Sequence, residues 1–245
     1  MARTEIRSRM PEAKVAVITG GSRGIGLAIA EAFAEAKYKV TILAREARRL
    51  QAAVDNLKSR GLMIESQVCD VTDATSVESA FAQISAKHNQ IHVLVNNAGV
   101  AHALASAEKL SLETWKQVID TNLTGTFLVT RAALSLMQSG GTIVNNLSVA
   151  AIQPFAGMSA YNASKYGAYG FTQALREDLR KSGIRVLALL PGATDTDIWS
   201  QFWPDAPREK MVSPRIVAEA VVHAVSAPAN ISIDEIRLGP ASGVL

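Results

Sequence analysis

The sequence predicts an α/β fold built on a doubly wound, parallel, seven-stranded sheet with helices on both faces. Short runs rich in β-branched residues alternate with longer stretches of helical periodicity along nearly the whole chain, the pattern of successive right-handed βαβ crossovers. Several of the short runs are apolar almost throughout, as strands covered on both faces must be. The first run also passes directly into a glycine-rich loop and a helix, so the chain opens with a nucleotide-type βα unit.

The strands are expected at "KVAVIT" (14–19), "YKVTILA" (38–44), "LMIESQV" (62–68), "IHVLVN" (91–96), "GTIVNNLS" (141–148), "IRVLALL" (184–190) and "ISIDEIRL" (231–238). Between them, apolar residues recur at helical spacing over about 24–36, 46–60, 74–88, 111–138, 159–182 and 213–226. No internal repeat, low-complexity segment or Pro/Ser-rich linker divides the chain. Residues 13–245 therefore read as one domain of the Rossmann type, and the polar residues 1–12 as a flexible N-terminal tail.

Composition narrows the function. The chain has 245 residues, 48% of them hydrophobic and 19% charged, which suits a well-cored globule. Its net charge of +3 is dispersed, and aromatic residues make up only 5%, so nucleic acid is not an expected partner. The one cysteine, Cys69, forms no internal disulfide or Cys-pair metal site, and the four histidines lack metal-ligand spacing. No metal is expected. Without a secretory-type apolar stretch or a membrane-length apolar run, the expected location is the cytoplasm.

In "TGGSRGIG" (19–26), Gly20, Gly24 and Gly26 allow a tight turn and let backbone approach a pyrophosphate at a helix N-terminus. A plain strand-to-helix turn is the alternative reading. The end of the second strand is where an acid would accept a bond from a ribose 2′-hydroxyl. Here that position is Ala44, followed by Arg45, with Arg23 inside the glycine loop. Two cations and no carboxylate suit a 2′-phosphate, so NADP(H) is preferred, with NAD(H) possible. Arg48 and Arg49 read as a solvated helix start. Further on, Tyr161 and Lys165 lie four apart on a predicted helix and share one face.

Seven motifs then fall in order: "TGGSRGIG" (19–26), "CDVTD" (69–73), "NNAG" (96–99), "NLTG" (122–125), "VNNLS" (144–148), "YNASK" (161–165) and "PGATDT" (191–196). Over nearly its entire length the chain resembles the short-chain dehydrogenase/reductase family, in its single-domain, NADP-preferring form. The resemblance implies a carbonyl reductase or alcohol dehydrogenase with Asn122, Ser148, Tyr161 and Lys165 as its catalytic set. Tyr161 would exchange a proton with the substrate oxygen, and Lys165 would lower the phenol's pKa and hold the nicotinamide ribose. Ser148 would bond the substrate oxygen, and Asn122 would hold a water relaying protons from Lys165. For the cofactor, the resemblance implies the loop residues Gly20, Ser22, Arg23, Gly24, Ile25 and Gly26, then Arg45, with Asp70 and Val71 at the adenine. Asn97, Ala98 and Gly99 would line a ribose. Pro191, Gly192 and Thr194 would lie at the nicotinamide amide, and Thr196 would reach the same amide or the pyrophosphate. A homo-oligomer, dimer or tetramer, is implied through the helices at 111–138 and 159–182.

Two departures bear on the reading. The serine pair common before the catalytic turn is Leu147–Ser148 here, and the chain ends in "ISIDEIRLGPASGVL" rather than a "TGQ…DGG"-like stretch. The second favours the subgroup acting on small hydroxy acids, ketones and aldehydes over a 3-oxoacyl-carrier-protein reductase. The intact catalytic set favours an enzyme over a non-catalytic NADP(H)-binding sensor or scaffold. Substrate is expected to meet residues 149–158, Val100 to Leu104, and the aromatic-rich stretch 197–212, which reads either as a lid or as a subunit contact. A neutral or apolar carbonyl compound or alcohol is the expected small-molecule substrate.

Overall fold

In a computed structural model, which describes residues 13–228 and 230–243, seven parallel strands lie in the order β3-β2-β1-β4-β5-β6-β7. They are β1 (Val15–Thr19), β2 (Lys39–Ala44), β3 (Ile64–Val68), β4 (Ile91–Asn96), β5 (Met137–Asn146), β6 (Arg185–Pro191) and β7 (Glu235–Leu238). The expected tail at 1–12 lies outside the described residues. Every residue of β1 is buried, as a mid-sheet strand covered on both faces requires. Its Ala16 and Ile18 pack toward α1 (Gly24–Glu35), α2 (Ala47–Ser59) and α7 (Pro214–Val225). Val15 and Val17 pack the other way, toward α3 (Ala74–Lys87), α5 (Gly125–Leu134) and α6 (Ser159–Leu179).

Strand order reverses between β1 and β4, and the loops leaving these two strands diverge there into a cleft at the C-terminal edge of the sheet. Both loops are pinned. Thr19 Oγ1 accepts from the backbone N–H groups of Asn97 and Ala98, and Asn97 Nδ2 donates to the carbonyls of Thr19 and Gly20. A fully buried polar row runs beneath the cleft, with Asn96 donating to Thr130 and Asn145, and Asn145 donating to Thr172.

Three expected elements differ. The single helix over 111–138 is two helices, α4 (Leu112–Ile119) and α5, joined by a π-helical turn at Asp120–Thr124. The wider turn brings Asn122 inward, where it is 2% exposed. Its amide accepts from Val100 N, donates to Val100 O and donates to Ser164 Oγ, locking the loop after β4 against α6. The residues expected to end that helix instead begin β5, because Ile91 pairs with Met137. The last strand is shorter than expected, spanning only Glu235–Leu238.

Gly26 and Gly170 provide a contrast. A Cβ on Gly26 would lie 2.3 Å from Asn97 Nδ2 and 2.4 Å from Gly20 O, whereas one on exposed Gly170, mid-α6, would meet nothing within 4 Å. Gly26→Ala should therefore destabilise by about 1–3 kcal/mol through overpacking. Gly170→Ala should stabilise by roughly 0.5–1 kcal/mol through lower chain entropy. Urea denaturation of the two variants checks both signs.

Candidate active site

The loop after β1 turns on Gly20, at φ +62°, where a side chain would also collide with Ala98 Cα at 2.9 Å. α1 then begins with Arg23 at its N-cap position, with no side-chain cap and no acid in its first turn. Its leading N–H groups open onto a cleft of about 830 Å³, lined there by Ser22, Arg23, Gly24 and Ile25. Gly26 does not line the cleft; it is the contact point between the helix and the β4 loop.

Arg45, at the end of β2, lines the same end, with its guanidinium 4.0 Å from the Asp70 carboxylate. Asp70 is itself held by accepting from Thr72 N and Thr72 Oγ1, and Val71 stands beside it in the wall. Arg23 lines the cleft 3.7 Å from the carboxylate of Asp197, which lines it too. Asn97, Ala98 and Gly99 line the cleft, as do Pro191, Gly192, Thr194 and Thr196, with Thr196 close against the glycine loop, where a Cβ on Gly24 would lie 3.3 Å from its Cγ2.

At the other end, β5 delivers Ser148 and α6 delivers Tyr161 and Lys165. Ser148 Oγ accepts from Ala150 N at 3.1 Å, fixing the short turn Val149–Ala151, and lines the cleft together with Tyr161. Lys165 Nζ lies 5.6 Å from the Tyr161 ring centroid and donates to Asn146 O at 3.2 Å. Burial pushes the Tyr161 phenol above its ordinary value, and the bond to Ser148 pulls it back. Burial also lowers Lys165, from 10.5 to about 8. In the protein alone the phenol is therefore raised by desolvation, and Lys165 is not among the causes of its shift.

Asn122 lies behind this wall rather than in it, with both amide hydrogens already donated within the protein. Three further residues shape the site. Asn146 lines the cleft and joins β5 to β4 by donating to Asn97 Oδ1. Asn162, beside Tyr161, donates to Ala150 O and Gln153 O and accepts from Phe155 N, so it shapes the 150–155 wall. Gln201 accepts from Ala101 N across the cleft. Their signal, an amide next to a motif residue, is too common in sequences to stand out.

The stretch 197–212 packs onto its own domain. Trp199 donates to Thr194 O and stacks near Phe202 and Trp203, while Arg208 bonds Asp195 and Thr196 O. With Leu104, Phe155 and Met158, these aromatic residues make the Tyr161 end of the cleft largely apolar.

A sequence model described as short chain dehydrogenase matches residues 14–207. The chain belongs to the short-chain dehydrogenase/reductase family. Like other members it is an oxidoreductase acting on CH–OH and C=O groups. An uncharacterized oxidoreductase of Staphylococcus saprophyticus is 33% identical over 93% of this chain and 97% of its own. An alcohol dehydrogenase of the archaeon Thermococcus sibiricus, solved with 5-hydroxy-NADP, superposes with a TM-score of 0.86 at 30% identity, over 95% of this chain and 98% of that one. A short-chain dehydrogenase of Burkholderia cenocepacia, solved with NADP, gives 0.83 at 33% identity, over 92% and 96%.

A buried lysine whose pKa falls from 10.5 to about 8 costs this dehydrogenase about 3 kcal/mol at neutral pH. Between those values the unfolded chain binds more protons than the folded one, so stability from this group rises with pH. Lys165→Met should unfold at higher urea than wild type at pH 7, and the gap should shrink toward pH 10.

Proposed function

We propose that this enzyme interconverts a ketone or aldehyde and the corresponding alcohol with NADP(H), NAD(H) being the weaker alternative, and that Tyr161 is its general acid/base. The observation that carries the reading is one continuous cleft, with the uncapped α1 N-terminus and Arg45 at one end and Ser148, Tyr161 and Lys165 together at the other.

The residues present fit such a nucleotide. Gly20 and Gly24 both have positive φ, and the loop they form lines the cleft and leads into the uncapped N-terminus of α1. Gly20, Ser22, Gly24 and Ile25 would hold the pyrophosphate, Arg45 with Arg23 the 2′-phosphate, and Asp70 with Val71 the adenine. Asn97, Ala98 and Gly99 would line a ribose, and Pro191, Gly192, Thr194 and Thr196 the nicotinamide amide. Ala44 places no carboxylate against a 2′-phosphate. When bound, the nicotinamide supplies or accepts the hydride.

The chain's own groups do the rest. In reduction Tyr161 Oη gives its proton to the carbonyl oxygen while Ser148 Oγ–H bonds that oxygen as negative charge grows on it. Burial keeps the phenol protonated, ready as an acid. The Lys165 ammonium stabilises the resulting phenolate across the short gap. Asn122 O lies in the π-turn and would hold the water through which Lys165 exchanges protons with solvent. In oxidation the same path runs backwards.

Leu112, Trp115, Phe127 and Tyr166 are exposed on α4, α5 and α6, which supports a homo-oligomer, dimer or homotetramer, built through these helices. Residues 13–245 act as one domain in this reading. Among the described residues no helix is long and apolar enough to cross a membrane, and the lone free Cys69 accords with a cytoplasmic setting.

Tyr161→Phe should lower kcat by about 10²–10⁴-fold while NADPH affinity by calorimetry stays within error. Equal activity in both proteins would remove Tyr161 from the chemistry. Ala44→Asp should move the NADPH-over-NADH preference in kcat/KM toward NADH by about tenfold or more, since the new carboxylate repels a 2′-phosphate and accepts from a 2′-hydroxyl.

A further inference from the structure

Four cationic side chains line the cleft, and three are engaged: Arg23 with Asp197, Arg45 with Asp70, and Lys165 with Asn146 O. The fourth, Arg237, has no hydrogen-bond or ion-pair partner among the described residues. The register of β7 shows which side of the sheet it serves. Ile236 and Leu238 pack with the α1 and α7 core, so Glu235 and Arg237 face the opposite side. Glu235 indeed meets the hydroxyl of Tyr169 on α6.

Arg237 lies one pleat further toward the cleft, opposite Leu190. Leu190 clusters with Leu147, which precedes Ser148, and with Ala151 at the end of the short turn that follows it. Arg237 therefore stands on the Ser148 and Tyr161 side, away from Arg45 and the adenine end. The acids closest to it in sequence are committed elsewhere, Glu235 to Tyr169 and Asp234 to Arg176 and Ser232. The cleft that Arg237 lines also has apolar residues beyond Ser148 in its wall, among them Val149, Ala150 and Phe155.

We propose that the physiological substrate is an anionic carbonyl compound or hydroxy compound, with an apolar body in the cleft and a carboxylate or phosphate ester bound by Arg237. This rests on the oxidoreductase reading above and changes its substrate from the neutral or apolar compound expected from the sequence of the substrate-facing stretches. An unpaired guanidinium at the open end of an apolar wall is a ready bidentate partner for either anion. No step of the reaction changes: hydride and proton still go to the carbonyl carbon and oxygen, and Arg237 sets which molecule is presented.

The test uses straight-chain oxocarboxylates of graded length, the matching methyl esters and the matching oxoalkyl phosphates, followed by NADPH oxidation. For at least one chain length, wild-type kcat/KM for an anion should exceed that for its ester by about tenfold or more. Arg237→Gln should erase that preference by raising KM for the anion, and Arg237→Lys should keep part of it. Comparing carboxylate with phosphate identifies the anion. Esters turned over as well as anions at every length, or a preference retained in Arg237→Gln, would overturn the proposal while leaving the oxidoreductase reading intact. No turnover of either class would overturn both.

Discussion

Lys165 donates to the carbonyl of Asn146 from a position only 6% exposed, and its burial brings the ammonium down to about 8. Few arrangements hold a charge so far from water, and much of this structure can be read as what is needed to do so. The carbonyl that receives it ends β5, so the strand has to stop where its last acceptor faces α6. The helix must approach closely, and the amide of Asn122 secures this by bridging Val100 and Ser164. Gly99 completes the fit, since a Cβ there would lie 3.3 Å from Asn122 Oδ1 and 3.7 Å from Lys165 Nζ. Stability is given up to keep this cation beside Tyr161, as is common where a group's chemistry matters more than its packing.

The two ends of the cleft follow different rules. At the glycine loop, backbone dipoles and arginines make a surface for phosphate, each arginine kept in place by a nearby acid. At the Tyr161 end the walls are apolar and aromatic, so the Ser148 and Tyr161 hydroxyls act where water competes little. The π-turn, the Asn162 bonds and the Trp199 anchor are all devices that fix irregular backbone around this drier end. Arg237 breaks the pattern, which is why it bears on the substrate.

Most strands could be read from the sequence because doubly covered strands are apolar along their whole length, as in β1 and β6. Where that signal weakened, the reading slipped. Met137 looked like a helix end until its pairing with Ile91 made it a strand start, and only 235–238 of the polar last run joined the sheet. The π-turn was hidden because its residues are as helix-compatible as those around it. Motif spacing located Ser148, Tyr161 and Lys165, yet spacing alone could not separate Asn122 behind the wall from residues within it. Nor could it show that desolvation, rather than the neighbouring ammonium, governs the phenol in the protein alone. Asn146, Asn162 and Arg237 gain their meaning only from register and from partners distant in sequence.

The central claim is that Lys165 is a desolvated cation poised close to physiological pH. Titrating the free protein by NMR, with ¹³C-labelled lysine and assignment by the Lys165→Met variant, reads this directly. The account predicts one lysine side-chain resonance, absent from the variant, that titrates with a midpoint of about 8. A midpoint at the ordinary lysine value of about 10.4 would contradict it.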